Sequence, residues 1–324
     1  MAGLREVAGS SVVEVIVNVG RDLAALDVDH ERIDRALLAV RAAGVRVPGV
    51  VSIAGATLVL ESMQLTGSFK VRGAIALLSA RIDEARARGV VAASAGNHGA
   101  GVAFAARHLG VRATVVVPRS SPSAKRARIE ADGAELVVVD SDRYDDAQAR
   151  AIALAGERDA IFASPYDDVD VVAGNGGTLA RDVESIASRV RRIVAPLGGG
   201  GLVSGLAAGF SRALEVWGVQ SEACPAFARS LQRGSAIEAM SASAPTLAEG
   251  LEGGVSQRGF ERARHAISGA IVVDEASIAR AMAWARRELG VIVEGSSAVA
   301  LVPLLAGHEV ADGAAILVTG RNVD

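Results

Sequence analysis

Short runs of valine, isoleucine and alanine alternate with alanine-rich helical stretches along most of this chain, and that alternation constrains its fold more than any other feature. Val90-Val-Ala-Ala-Ser94, Ala113-Thr-Val-Val-Val117 and Glu135-Leu-Val-Val-Val139 read as strands, each followed by a helical run, at Gly99–Leu109, Pro122–Ala131 and Tyr144–Gly156. A short apolar strand at Ala160–Ala163 closes this group. A second set follows: helix Gly177–Ser188, strand Arg192–Ala195, helix Gly201–Ala213 and strand Glu215–Gln220. Later come helix Arg258–Ser268, strand Ala270–Val273, helices Glu275–Leu289 and Ser296–Leu305, and strand Ala314–Val318. Upstream, Asp29–Arg41 is an amphipathic helix and Thr57–Glu61 a short strand, while residues 1–30 show little other pattern. Short apolar strands between helices belong to parallel sheets covered on both faces. The expected class is α/β with two lobes and a ligand cleft between them, near the carboxyl ends of the strands.

Composition narrows the function. A net charge of −3 and the lack of a long basic block give no argument for nucleic acid or an anionic membrane as partner. The single cysteine, Cys224, excludes an internal disulfide framework, fits a reducing cytosol, and reads as packing. The longest uncharged window, residues 193–210, holds Pro196 and six glycines, so it reads as strand, loop and helix start rather than a bilayer span. The first residues, Met1 to Glu6, show no secretory pattern, and the chain reads as soluble and cytoplasmic.

Of the 34 basic residues only Lys70 and Lys125 are lysines. An arginine stays protonated, whereas a lysine amine can be tuned to act as a base or to form an imine. Lys125, among arginines in Ser123–Ile129, reads as part of a solvated helix face. Lys70 follows the turn and cap signal Thr66-Gly-Ser-Phe69 and precedes an apolar helix, which places its amine in a first helical turn. Such a position suits either an exposed or a catalytic lysine.

Three loops fall at strand ends. Ser94-Ala-Gly-Asn-His98 offers backbone N–H groups and two polar side chains, an arrangement suited to a carboxylate, though an ordinary turn would look similar. Pro196-Leu-Gly-Gly-Gly-Gly-Leu202 removes four successive side chains before a helix, so several N–H groups can converge on a phosphate. It lacks the lysine of a nucleotide P-loop and the spacing of a dinucleotide site, which favours a single phosphate monoester. Thr319-Gly-Arg-Asn322 adds a hydroxyl and an amide. A lysine, a monophosphate cradle and a carboxylate receptor together describe an amino-acid enzyme that uses pyridoxal phosphate.

Ser68-Phe-Lys70 with Arg72-Gly-Ala74, Ser94-Ala-Gly-Asn-His-Gly99, Pro196–Leu202 and Gly320-Arg-Asn-Val323 resemble, in this order, the fold type II pyridoxal-phosphate enzymes. The resemblance is to the threonine/serine dehydratase and serine racemase group, which includes 3-hydroxyaspartate and hydroxyectoine-utilisation dehydratases. It runs from about residue 30 to the end. It implies a large cofactor-binding domain from residues 1–86 and 168–324, and a small substrate-binding domain from residues 87–167. It implies that Lys70 holds pyridoxal 5'-phosphate covalently and moves the Cα proton, with Phe69 beside the ring. Gly198, Gly199, Gly200, Gly201 and Leu202 would bind the phosphate, Asn97 the phenolic oxygen, and Thr319 the pyridine nitrogen. Ser94, Ala95, Gly96, Asn97 and His98 would line the substrate carboxylate, His98 through its N–H more than its imidazole. The implied activity is dehydration of a β-hydroxy-α-amino acid of threonine, serine or 3-hydroxyaspartate type to a 2-oxo acid and ammonia. The implied assembly is a homodimer with a small-molecule amino-acid substrate.

The departures also carry information. Ala95 stands where racemases of the group have a second serine, which disfavours racemisation; β-replacement of cysteine synthase type is the other alternative, and a cofactor-binding protein without turnover a third. Gly174-Asn-Gly-Gly-Thr178 is one residue longer than the usual Gly-Gln-Gly-Thr. Glu222 and Ala226 match two ligands of the group's magnesium site, but Ala228 stands at the third, so no metal is expected. Arg143 and Arg321 suit either a second substrate carboxylate or the surface. No regulatory domain is expected beyond Asn322.

Overall fold

The structure, a computed structural model, describes residue 9 and residues 11–323. The stretch Met1 to Glu6, read above for a secretory signal, lies outside the described residues.

Eleven strands are present among the described residues: β1 (Val12–Val17), β2 (Gly49–Ile53), β3 (Ala56–Leu60), β4 (Val90–Ala93), β5 (Ala113–Pro118), β6 (Glu135–Val139), β7 (Ile161–Phe162), β8 (Arg192–Pro196), β9 (Glu215–Ser221), β10 (Gly269–Val273) and β11 (Ala314–Val318). They form two sheets. The smaller, in the order β6-β5-β4-β7, is parallel throughout. The larger runs β1-β10-β9-β8-β11-β3-β2, with a parallel centre and an antiparallel strand at each edge.

The edge strands β1 and β2 escape the sequence reading for physical reasons. β1 keeps Val13, Val15 and Val17 on its exposed face, so its period-two signal is hidden by apolar residues on both sides. β2 turns into β3 through Ala54-Gly55, both at positive φ (45° and 81°). A hairpin turn of this kind usually announces itself with asparagine or aspartate at the first position; alanine gives no such signal. Among the described residues no helix is long and apolar enough to cross a membrane.

The extra residue in Gly174–Thr178 is absorbed locally. Ala173–Gly177 forms one π turn between the helical segments Val169–Val172 and Thr178–Ile186, the usual way for a helix to take in one added residue. This turn packs backbone to backbone: a Cβ on Gly174 would stand 2.7 Å from the Arg72 carbonyl oxygen and 2.7 Å from the Gly73 Cα. On its other side, a Cβ on Gly176 would stand 2.7 Å from the Gly205 Cα, in the helix Gly201–Gly209. Backbone atoms at these distances cannot step aside as a side chain would. Gly176→Ala is therefore expected to destabilise the protein by about 1–3 kcal/mol, seen as a lowered Tm; an unchanged Tm would show that the seam is loose.

Candidate active site

Lys70 is the first residue of the helix Lys70–Ala80. The turn before it uses Gly67 at φ 73°, and the Ser68 hydroxyl accepts the Lys70 N–H at 3.3 Å. Phe69 N–H donates to Thr319 O at 3.1 Å, and Arg321 N–H to Gly67 O at 3.0 Å, which stitches the loop after β11 to this turn. The Lys70 amine donates to Pro165 O at 3.0 Å and lies 5.2 Å from the centre of the Phe69 ring. Burial lowers its pKa to about 8, partly opposed by Glu294.

The helix start is held from behind by Arg72, which is fully buried. Its guanidinium donates to both oxygens of Glu61 at 2.8 Å, to Asp182 at 2.8 Å, to Thr178 Oγ1 at 3.1 Å and to Arg46 O at 3.2 Å. Asn175, in the π turn, accepts the Gly73 N–H at 2.9 Å. The lysine backbone is thus fixed by one buried ion cluster and one amide.

The glycine loop ends β8 and opens the helix Gly201–Gly209. Gly200 sits at φ 88°, a conformation that favours glycine. The N–H groups of Gly198, Gly199, Gly200, Gly201 and Leu202 find no acceptor among the described residues, and the first carbonyl engaged is Gly200 O, by Ser204 N–H. These N–H groups and the helix dipole make a receptor for an anion. Tyr166 packs onto the loop: a Cβ on Gly199 would stand 2.6 Å from its ring, and one on Gly201 2.8 Å from its carbonyl oxygen. One peptide unit therefore separates Pro165, which holds the Lys70 amine, from the residue that seats the glycine loop.

The third loop joins β4 to the helix Asn97–Leu109. Ser94 Oγ accepts the Gly96 N–H at 3.1 Å, while the N–H groups of Ala95, Asn97 and His98 have no acceptor among the described residues. The His98 ring is buried, with Nε2 at 2.8 Å from Ala163 O and Nδ1 without a partner. Burial, and then the Lys70 charge, lower its pKa to about 3, so the imidazole is neutral. Asn97 Nδ2 donates to Glu294 Oε1 at 2.7 Å, and its Oδ1 is buried without a partner.

Glu294 is absent from the sequence reading. The signal available was a lone carboxylate within the otherwise uncharged stretch 289–307. Tyr166 was missed as well. Thr319 is buried, its N–H bonded to Ser297 Oγ at 2.7 Å and its hydroxyl without a partner among the described residues. Arg143 and Arg321 are exposed. Lys125 corrects the expectation of a solvated position: its side chain is 13% exposed and reaches Glu249 of the larger lobe at 3.6 Å. Nearby, Arg128 donates to Thr66 O, so the helix Ser123–Ala131 is tied at two points to segments outside the smaller sheet. Glu222 is exposed, and the inward side chain at the end of β9 is Gln220, which accepts the Ala228 N–H at 2.9 Å.

A buried lysine with a lowered pKa, a side-chain-free anion receptor seated on the residue next to its carbonyl partner Pro165, and orphaned polar atoms at Asn97 and His98 fit a phosphorylated aldehyde cofactor in a two-lobed α/β enzyme. The sequence profile described as "Pyridoxal-phosphate dependent enzyme" matches residues 44–320, and the chain belongs to this family. It is 36% identical over 272 residues to an L-threonine ammonia-lyase of Thermotoga maritima, covering 82% of this chain and 66% of that protein's length. Among solved structures it is similar to maize serine racemase (TM-score 0.85, 27% identity, 92% of this chain and 94% of that one). It is also similar to the processed form of threonine deaminase isoform 2 from Solanum lycopersicum (TM-score 0.85, 26% identity, 97% of this chain and 90% of that one).

Proposed function

We propose that this chain is an ammonia-lyase that removes water from a β-hydroxy-α-amino acid, of threonine, serine or 3-hydroxyaspartate type, to give a 2-oxo acid and ammonia. The observation that carries the proposal is the Lys70 amine, buried and lowered to about 8, held by Pro165 O next to the residue that seats the glycine loop. The likeness to threonine ammonia-lyases supports the reaction type. Pyridoxal phosphate, when bound, draws electrons from the substrate Cα and so acidifies its hydrogen. Gly198, Gly199, Gly200, Gly201 and Leu202 would hold its phosphate through their N–H groups, Asn97 its phenolic oxygen, and Thr319 its ring nitrogen. The Phe69 ring lies 5.2 Å from the Lys70 amine.

The free N–H groups at Ala95, Asn97 and His98, with the Ser94 hydroxyl, orient the substrate carboxylate. Lys70, unprotonated in a useful fraction near neutral pH, takes the Cα proton. The neutral His98 ring is held on Ala163 O and stores no proton. The β-hydroxyl then leaves with one proton as water, balancing the proton taken from Cα, and hydrolysis of the released enamine through its imine tautomer consumes one water and frees ammonia. Ala95 has no hydroxyl to deliver a proton, which favours elimination over racemisation.

The test is a panel of L-threonine, L-serine, D-threonine and the 3-hydroxyaspartate isomers incubated with purified protein, following 2-oxo acid and ammonia. Equimolar release of both from at least one member is expected. Inversion of L-serine without 2-oxo acid, or no release from any member, would overturn the proposal.

A further inference from the structure

Glu294 is buried beside the site, and its carboxylate accepts hydrogen bonds from one side-chain amide and one backbone N–H. Oε1 accepts Asn97 Nδ2 at 2.7 Å, Oε2 accepts the Asn322 N–H at 2.8 Å, and its own N–H donates to Gly320 O at 3.1 Å. The carboxylate reaches Asn97 only because residue 320 has no side chain: a Cβ there would collide with Oε1 and stand 3.0 Å from Asn97 Nδ2. Burying a carboxylate is costly, and such sites concentrate where charge is used.

The Lys70 amine contacts the Phe69 ring and Pro165 O, and its charge is coupled electrostatically to the His98 ring and Glu294. Of these, Glu294 carries the charge, since His98 is neutral. Around Glu294 itself stand Asn97, the Asn322 N–H, Lys125 and Lys70. We propose that Glu294 is a positioning residue: it fixes the Asn97 amide and sets, through a fixed negative charge, the protonation of the Lys70 nitrogen. Gly320 is the residue that makes room for it. Burial raises the Glu294 carboxyl above its ordinary range, partly opposed by the Asn322 N–H and Asn97; both of its oxygens accept N–H donors, the pattern of a carboxylate.

The inference rests on Lys70 as the cofactor-bearing amine but not on which substrate is dehydrated. Its test is the visible absorbance of the pyridoxal-phosphate-loaded full chain, titrated from acid to alkaline pH. In Glu294→Gln the long-wavelength band is expected to disappear at a pH lower than in wild type by about one to three units, because an opposite charge has been removed. Gly320→Ala is expected to shift it in the same direction by displacing the carboxylate. A purely structural role would lower the amplitude at every pH without moving the midpoint. An unmoved midpoint in Glu294→Gln overturns this proposal alone, whereas absence of the band in wild type overturns the assignment of Lys70 and this proposal with it.

Discussion

Lys70→Ala will carry no visible cofactor band and will turn over every substrate of the panel at least about a thousandfold more slowly than wild type. The same amine is asked to anchor the cofactor and to move the Cα proton, so its loss removes two functions at once. Lys70→Arg is expected to be equally inactive, because a guanidinium stays protonated and cannot attack an aldehyde. Neither change should unfold the protein, since the amine makes one hydrogen bond, to Pro165 O. In wild type, attachment of pyridoxal phosphate to the cofactor-free chain should accelerate as pH rises through about 8, where the amine loses its proton. Turnover and band both surviving in Lys70→Ala would refute the assignment.

Arg72→Met will be among the most destabilising single changes in the chain, costing about 3–5 kcal/mol in chemical denaturation. The guanidinium is fully buried and bonded to Glu61 and Asp182, which is further paired with Arg41. Its removal strands two carboxylates out of water. Adding Glu61→Gln and Asp182→Asn to Arg72→Met is expected to recover part of the loss, because the uncompensated charges go with it. A cost below about 1 kcal/mol for the single change would mean that the cluster is not holding the start of the Lys70 helix.

Much of this architecture is legible in the sequence, and what is not has identifiable causes. The parallel strands β3 to β11 stand out because each is an apolar run bounded by turn signals, and the site loops because glycine and serine cluster at strand ends. Helix 275–289 reads as continuous, whereas the structure converts Ala285–Leu289 to a π turn that no residue type announces. Glu294 is invisible to motif reasoning because its role comes from Asn97 and Gly320, which are far away in sequence. Lys125 is misplaced because a helix pattern reports which face is polar, not whether another lobe covers it.

The contacts among Gly73, Gly174, Gly176 and Gly205 tie the helix that begins at the lysine to the helix that begins at the four-glycine loop. Rotamers have no part in that joint, so the span between the two ends works as a rigid gauge, cut in main chain. Side chains elsewhere can change without altering that span, because main chain alone sets the distance from the lysine to the glycine loop.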